Sequence, residues 1–465
     1  MAERNIEQGA VGLSDDELLA LESKYCSWGD TVHYAKQLNI FREAEGIYLY
    51  DTQGTEYLDL QMWYSAANFG YKNKRLNDIL KKQIDTLPQL ACQYLHEEKI
   101  TLAAKISKDI EKKFGVKGRV HFNVGGAQAI EDAIKVVRNH TGKIPMFAFM
   151  GGYHGRTLAA TSITSSYRYR EHFGHFSDRA HFVSYPYCFR CPEGLKRESC
   201  GIACLNKFEK LFESEYYSVV NPKNNNCEYG AFFVEPLQAT GGYIVPPMDY
   251  FKRLKKTLDK NKVLFVADEI QMGFCRTGKL WSIEHFDVVP DIIVFGKALT
   301  NGLNPISGIW AKEDLISPEV FPPGMTHSTF SSNPLGTAAG LAVMNLIEDS
   351  NFEVEVPKRG AYFLKRLREL QGKYPYIGQV DGLGLALRIE MCQKDGFTPN
   401  RELTDKIMNI GLAGNLTSGG KKRGLVLDIG GYYKNVFTLA PSLYITEEEI
   451  DLAVKLFEEA LQKAL

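Results

Sequence analysis

The chain has 465 residues with 55 basic and 56 acidic side chains, a formal net charge of −1, which gives no electrostatic footprint for nucleic acid or an anionic membrane. Apolar residues make up 44% of the sequence, no run approaches the roughly 18 apolar residues that span a bilayer, and the polar, acidic start is unlike a secretory signal. Nine cysteines without such a signal indicate reduced thiols, so we expect a globular cytoplasmic protein without nucleic-acid or membrane partners.

The N-terminal region combines a loosely helical segment with a hairpin. Residues 1–45 show a helical pattern in which Ser14 begins a helix, and two short strand patterns at 46–51 and 56–60 flank a turn. We predict that residues 1–72 join a smaller α+β domain formed by residues 335–465, in which 382–389 and 436–439 are strands among helices.

Residues 73–334 alternate between helix and strand patterns. The strand runs are short and apolar without polar alternation, which is typical of strands buried on both faces of a parallel sheet. We therefore predict a large α/β domain over 73–334. The predicted strands are 120–124, 146–150, 231–235, 263–269, 291–297 and 306–310, and the predicted helices include 76–87 and 97–114, with a further helix at 336–347 that leads into the C-terminal domain.

Two of these strands end in glycine-containing turns. The strand at 120–124 is followed by Gly126 and Ala127 and then by a helical pattern, a geometry that offers free backbone N–H groups to an anion. The strand at 146–150 leads to Tyr153 and His154, where a ring can stack on a flat cofactor. Each signal alone also fits an ordinary loop.

Asp268 and Lys297 end two successive buried strands, where open α/β sheets bind ligands. A lysine at the edge of an apolar site can lose its proton and attack a carbonyl carbon, and a buried acid can hold a pyridinium nitrogen protonated. These two groups are the ones that pyridoxal phosphate chemistry requires. Taken alone, such residues are more often a surface lysine and a helix cap, so the remaining motifs decide the interpretation.

Four cysteines lie in the irregular stretch 186–204. Cys188, Cys191, Cys200 and Cys204 have the spacing C-x2-C-x8-C-x3-C, which resembles a closed zinc site. The competing interpretation is a structural loop with free thiols, because the two pairs differ in spacing and no histidine joins them. We assign no metal to the mechanism.

Six motifs follow one another in a characteristic order. This order resembles the class III aminotransferases, the fold-type-I pyridoxal-phosphate enzymes that include ω-amino acid and diamine transaminases. The resemblance extends over about residues 45–445 and implies a large domain with a mostly parallel seven-stranded sheet between helices plus a smaller α+β domain. The motifs are GGAQAIEDAIK, GGYHGRT, VEPLQATGG, VADEIQMGFCRTG, FGKALTNG and HSTFSSNPLG.

The resemblance also implies roles for individual residues. Lys297 would bind the cofactor as its Schiff-base lysine and move the substrate proton, while Asp268 would pair with the ring nitrogen. Tyr153 would stack on the ring, Gln271 would approach its 3-oxygen, and Thr329 would reach the phosphate of a neighbouring subunit, which makes the enzyme a homodimer with shared sites. The other expected cofactor contacts are Gly126, Ala127, His154 and Glu235, and the expected substrate-pocket residues are Trp63, Tyr64 and Arg156.

The sequence departs from the family pattern where many members hold a substrate carboxylate. Thr240 replaces the glutamate of a QGEGG turn, and Thr438 replaces the arginine that this glutamate gates. Losing both charges together is physically coherent, because a buried arginine without its acid is costly. Arg156, Arg276 or Arg388 could hold a carboxylate instead.

We expect an aminotransferase that moves an amino group from an amine or ω-amino acid to a 2-oxo acid in a ping-pong cycle. A racemase, an epimerase or an aminomutase on the same scaffold is the alternative, because Lys297 and Asp268 serve all of them. A catalytically silent binding protein is disfavoured, because Lys297, Asp268, Tyr153 and Thr329 are all present.

Overall fold

The computed structural model describes residues 12–30, 34–173, 176 and 180–465. Strands are numbered β1 to β18 in chain order. They are β1 Phe41–Glu45, β2 Tyr48–Asp51, β3 Glu56–Asp59, β4 Gly118–Asn123, β5 Phe147–Phe149, β6 His181–Val183, β7 Val220–Asn221, β8 Asn226–Cys227, β9 Ala231–Val234, β10 Leu264–Asp268, β11 Ile292–Phe295, β12 Ser307–Lys312, β13 Ile377–Leu383, β14 Ala386–Met391, β15 Leu416–Ser418, β16 Lys421–Val426, β17 Asp428–Gly430 and β18 Val436–Leu439. The α-helices are Asp15–Tyr25, Lys74–Thr86, Glu97–Phe114, Gly126–Thr141, Leu158–Ser162, Ala203–Lys210, Tyr250–Lys260, Pro334–Glu348, Phe352–Lys373, Arg401–Leu412 and Glu447–Ala464.

The largest sheet has seven strands in the order β4-β12-β11-β10-β9-β5-β6. Strand β12 runs antiparallel to both of its neighbours, and every other pairing in this sheet is parallel. The predicted mostly parallel seven-stranded sheet is therefore confirmed. Its central strands end at one edge, where the residues that follow them can converge.

Helices cover both faces of this sheet, which explains why its strands lack polar alternation. Along β10, Val266 packs with Ile130 of the helix Gly126–Thr141 on one face. Phe265 and Ala267 point to the opposite face and join the core with the helices Glu97–Phe114 and Tyr250–Lys260. Burying a side chain such as Val266 or Phe265 contributes about 1.5–3 kcal/mol, so the apolar pattern stabilises the strand between two helix layers.

The N-terminal hairpin and C-terminal strands share a five-stranded sheet in the order β1-β2-β3-β16-β15. Strand β3 pairs in parallel with β16. A separate four-stranded sheet has the order β13-β14-β18-β17. The proposed division of the chain into 1–72, 73–334 and 335–465 stays a prediction.

Three local predictions differ from the structure. The single strand expected at 382–389 is wrong, because β13 and β14 pair antiparallel around Gly384. Gly384 has a φ of +58°, and an added Cβ would lie 2.4 Å from the backbone of Thr277, so a glycine is required there. Residues 41–45 form strand β1 instead of continuing the loose helical pattern, and strand β6 was not predicted.

The helix predicted after Ser14 is present as Asp15–Tyr25, and Ser14 forms a capping box with Glu17. The parts of the N-terminal prediction over residues 1–11 and 31–33 lie outside the described residues. Within the described ranges, no helix combines the length and apolar character needed to cross a bilayer.

Candidate active site

Lys297 lies directly beyond β11 and begins the short 3₁₀ turn Lys297–Thr300. Its φ of 43° is in the left-handed region, which costs a non-glycine residue about 1–2 kcal/mol. Its Nζ donates a hydrogen bond to Oε1 of Gln271 at 2.6 Å. Burial lowers the pKa of the Lys297 amine to about 8, against the opposing effect of nearby carboxylates, chiefly Asp268. Such an amine is partly neutral near pH 8 and can act as a nucleophile or carry a proton.

Asp268 ends β10, the strand beside β11, and is 5% exposed. Its Oδ2 lies 2.8 Å from Nδ1 of His154, and its Oδ1 accepts the backbone N–H of Ile270 at 3.1 Å. Burial alone would lower the pKa of His154, but the contact with Asp268 outweighs it and the pKa is raised above its ordinary value. The contact therefore favours the protonated form of the buried imidazole beside Asp268.

Lys297 and Asp268 line one cavity of about 510 Å³, which we call the Asp268 cavity. The cavity brings together most of the residues that the sequence nominated for cofactor binding. They are Gly126, Ala127, Tyr153, His154, Glu235, Asp268, Gln271 and Lys297.

The helix Gly126–Thr141 begins at the wall of the Asp268 cavity. Its N-cap residue is Gly125, whose side chain cannot accept a hydrogen bond from the first turn. The first N–H groups of a helix lack intrahelical partners and carry the positive end of the helix dipole. The start of this helix can therefore hold a phosphate through the backbone at Gly126 and Ala127.

Glu235 stabilises the cavity wall by hydrogen bonds to backbone N–H groups. Its carboxylate accepts the N–H groups of Tyr153 and Ala239, each at 2.8 Å. Burial raises the pKa of Glu235 to about 7, although the neighbouring His154 opposes this rise. Glu235 thus fixes the loop that carries the Tyr153 ring.

A second cavity of about 520 Å³, the Asp428 cavity, also contains Lys297, Gln271 and Tyr153 in its lining. Lys297 therefore lies at the junction of the two cavities. The residues nominated for the substrate pocket all line it: Trp63, Tyr64 and Arg156. Trp63 and Tyr64 belong to the turn Met62–Ser65, whose φ angles are all positive.

Sequence analysis missed several polar residues of the Asp428 cavity. Tyr169, Arg168, Lys434 and Asp428 line it, and they come from distant parts of the chain. None belongs to a recognisable motif. The one available signal was the proximity of Asp428 to the anomalous Thr438 in sequence.

Two of the arginines considered for carboxylate binding are wrong candidates. Arg276 is fully buried and donates to Ser65 Oγ at 2.9 Å and to the backbone oxygen of Pro441 at 2.6 Å. Arg388 is 1% exposed and is paired with Glu390 at 2.5 Å. Both guanidinium groups hold parts of the fold together, and neither lines the two cavities. Arg156 lines both cavities and is the remaining candidate of the three.

Thr329 lies apart from the other nominated residues. It is exposed in the loop before the helix Pro334–Glu348 and does not line either cavity. The predicted contact of Thr329 with the cofactor of a neighbouring subunit stays a prediction.

The four clustered cysteines line a small common cavity with Pro247. Within the described residues, no group of three or more His, Cys, Asp or Glu side chains is arranged to hold a metal ion. All nine cysteines are free thiols, and Cys188 is exposed.

Comparisons with known proteins agree with this geometry. Residues 31–461 match the class III aminotransferase family. The chain is 32% identical to the acetylornithine aminotransferase of Caldanaerobacter subterraneus subsp. tengcongensis over 96% of this chain and 99% of that protein. It is 31% identical to the leucine/methionine racemase of Thermococcus litoralis over 96% of this chain and 95% of that protein. An aminotransferase structure from Bacillus anthracis superposes with a TM-score of 0.85 at 27% identity, covering 97% of this chain and 100% of that one.

The fold and the site define a pyridoxal-phosphate-dependent enzyme of fold type I. The residues present fit that cofactor, because the Asp268 cavity combines a lysine of lowered pKa, a buried carboxylate and the start of a helix. More narrowly, the chain belongs to the class III aminotransferase family.

Proposed function

We propose that this enzyme transfers an amino group from an amine or ω-amino acid to a 2-oxo acid in a ping-pong cycle. The observation that carries the proposal is the placement of Lys297 between the Asp268 cavity and the Asp428 cavity. One cavity has the groups that suit a cofactor, and the other has room for a substrate that reaches the same amine.

Each nominated residue has a distinct task in this proposal. Bound pyridoxal phosphate supplies an electron-accepting ring that stabilises negative charge on the substrate carbon. Asp268, fixed by His154 and by the N–H of Ile270, keeps the ring nitrogen protonated. Lys297 accepts the proton from the substrate carbon and returns it, for which a pKa near 8 is well matched to neutral conditions.

The remaining contacts position the cofactor. Backbone N–H groups at Gly126 and Ala127 would bind its phosphate, and Tyr153, whose backbone N–H is held by Glu235, would stack on the ring. Gln271 lies beside Lys297 and orients the ring oxygen.

We assign the carboxylate of the 2-oxo acid to Arg156. Its guanidinium lies 4.6 Å from the centre of the Tyr169 ring, and this contact holds the side chain at the cavity wall. Arg156 forms no ion pair with any described residue, so its charge can bind a carboxylate. Thr240 and Thr438, which replace the usual gate, carry no charge that could do this.

We also propose a cytoplasmic homodimer with shared sites. Thr329 is exposed away from its own cavities, and Phe330 beside it is 69% exposed, as expected for a loop that meets a second subunit. Free thiols at all nine cysteines suit a reducing compartment. Replacing Thr329 with Ala should weaken cofactor binding about tenfold, whereas the exposed Thr86→Ala control should not. Unchanged cofactor affinity in Thr329→Ala, or a monomer of full activity, would contradict the shared site.

A racemase is the second candidate, favoured by the similarity to the leucine/methionine racemase. In that reaction the proton returns to the same substrate carbon, so no 2-oxo acid is consumed. Lys297 and Asp268 serve both reactions, and the cavities alone do not separate them.

One experiment separates the two candidates. The purified holoenzyme is mixed with an amine donor, without a 2-oxo acid, and the cofactor absorbance is followed. A transaminase converts the cofactor to its pyridoxamine form, which persists until a 2-oxo acid is added. A racemase leaves the final cofactor spectrum unchanged and, when given L-leucine, accumulates the D-enantiomer, which chiral chromatography detects.

A further inference from the structure

Asp428 places an acid in the cavity that the substrate must enter. The residue begins β17, and its partner directly across the strand pair is Thr438 of β18. The Thr438 hydroxyl donates to Oδ2 of Asp428 at 2.6 Å, and Nε2 of Gln61 makes a longer contact of 3.5 Å with Oδ1. Thr438 is 1% exposed, so it supports Asp428 from behind and does not itself line the cavity.

The identity of residue 438 determines whether the Asp428 charge is available. An arginine directly opposite an aspartate on a neighbouring strand would form a charge-assisted pair with it. Threonine provides a neutral hydroxyl that orients the carboxylate but leaves its negative charge in place. With threonine at position 438, the Asp428 carboxylate lines the cavity and has no opposite charge across the strand pair.

Four cations line the same cavity: Arg156, Arg168, Lys434 and Lys297, and Asp428 opposes the lowering of the Lys297 pKa by burial. The guanidinium of Arg168 lies 4.7 Å from the centre of the Tyr34 ring and 5.0 Å from that of Tyr169. Arg156 also lies over Tyr169. Burial and then Arg168 lower the pKa of Lys434, against the effect of Asp428. Among the residues that the structure describes, no lysine, arginine or histidine forms an ion pair with Asp428.

We propose that Asp428 binds a second, positively charged amino group of the donor, so that donors with a distal ammonium are preferred over monoamines and over donors that end in a carboxylate. This proposal rests on the proposed function, in which one amino group of the donor reacts at Lys297. It adds that the opposite end of the donor carries a positive charge that Asp428 binds. In this proposal Asp428 contacts the end of the donor that does not react, so its direct contribution belongs to binding, and its effect on the pKa of Lys297 is common to all donors.

Three donors of equal chain length test this preference: 1,5-diaminopentane, pentylamine and 5-aminopentanoate, each with pyruvate as acceptor. A hydrogen-bonded ion pair at the far end should favour the diamine over pentylamine about 10- to 100-fold in kcat/KM. The measurement on the unmodified holoenzyme does not depend on whether any variant folds. Preference for 5-aminopentanoate would overturn the proposal and would indicate that Arg156 or Arg168 binds a carboxylate at the unreacting end of the donor.

Asp428→Asn keeps the shape of the side chain and removes its charge. This variant should lose most of the diamine preference through a higher KM for the diamine, while any change in kcat that follows from the lost effect of Asp428 on Lys297 should be the same for the diamine and for pentylamine. Thr438→Val, which removes the supporting hydroxyl, should give a smaller loss of the same kind. Asp314→Asn removes an exposed acid outside both cavities and is the matched control. Equal loss for all donors in Asp428→Asn would show a merely structural role and overturn the proposal.

Calorimetric titration of the holoenzyme with 1,5-diaminopentane and with pentylamine tests the subsite without turnover. Tighter binding of the diamine by the unmodified protein, lost in Asp428→Asn, supports the subsite even if no amino group is transferred, which would refute only the proposed function. Equal dissociation constants for the two amines would refute the subsite even if both are transaminated.

Discussion

His154 and Asp268 are 114 positions apart in the sequence, yet Nδ1 of the imidazole lies 2.8 Å from Oδ2 of the carboxylate in a buried site. The contact raises the pKa of His154 above its ordinary value, against the opposing effect of burial. A histidine with a raised folded-state pKa contributes stability that is fully present below its unfolded pKa of about 6.5 and is lost as the pH rises through the folded value. The pair thus fixes the position of the Asp268 carboxyl group where a cofactor nitrogen needs an acid partner.

Replacing His154 with Ala should leave Asp268 with one fewer charged hydrogen bond and lower kcat by about 10- to 100-fold. Because His154 acts through Asp268, the pH profile of kcat should also change, and the cofactor absorbance should shift with it. The exposed His140→Ala is the matched control. A variant that loses only stability, with the pH profile and spectrum of the unmodified enzyme, would contradict this positioning role.

The lowered pKa of Lys297 predicts how the apo-protein takes up its cofactor. Only the neutral amine attacks the aldehyde, and burial lowers the pKa of Lys297 to about 8, so the amine is mostly protonated below this pH and mostly neutral above it. The rate of pyridoxal phosphate uptake, followed by absorbance, should rise about tenfold per pH unit below pH 8 and level off above it. A rate that keeps rising to about pH 10 would indicate an ordinary solvated lysine.

Gln271 links Lys297 to the buried Tyr243. Its Oε1 accepts from Lys297, and its Nε2 donates to the Tyr243 hydroxyl at 2.9 Å. Gln271→Ala should weaken cofactor affinity about tenfold, while Tyr243→Phe, which removes only the outer hydrogen bond, should weaken it about two- to fivefold. Equilibrium dialysis of pyridoxal phosphate measures both. An equal or larger effect of Tyr243→Phe would place the orienting role elsewhere.

Arg276 and Arg156 should respond to substitution in opposite ways. Arg276→Met removes a buried guanidinium bonded to Ser65 and Pro441, so the free energy of unfolding in urea should fall by about 3 kcal/mol or more. Its selectivity between oxo substrates with and without a carboxylate should be unchanged. Arg156→Met should keep the stability and lose that selectivity. If Arg276→Met lost the selectivity and Arg156→Met lost the stability, Arg276 would be the residue that binds the substrate carboxylate.

The sequence predicted the parts of the site that depend on local pattern. Asp268 and Lys297 follow two apolar runs without polar alternation, and the carboxyl ends of adjacent parallel strands meet at one edge of a sheet. Gly126 similarly follows from a strand, a glycine turn and a helical pattern.

The remaining features depend on long-range register and could not be predicted in the same way. Asp428 meets Thr438 because β17 and β18 pair with these two residues opposite each other, and a shift of one residue would point the carboxylate to the other face. The hairpin at Gly384 was missed because the run around it is apolar on both sides of the turn. The burial of Arg276 was not visible either, because its partners come from separate parts of the chain.

The most direct test of the account is the site of covalent attachment to the cofactor. The protein loaded with pyridoxal phosphate is reduced with borohydride, digested, and mapped by mass spectrometry, with Lys252→Ala as an exposed-lysine control. We expect a yellow protein that bleaches on reduction and carries its modification on Lys297, with the modification absent from Lys297→Ala and retained in Lys252→Ala. A colourless protein that binds no cofactor, or a modification on a different lysine, would contradict it.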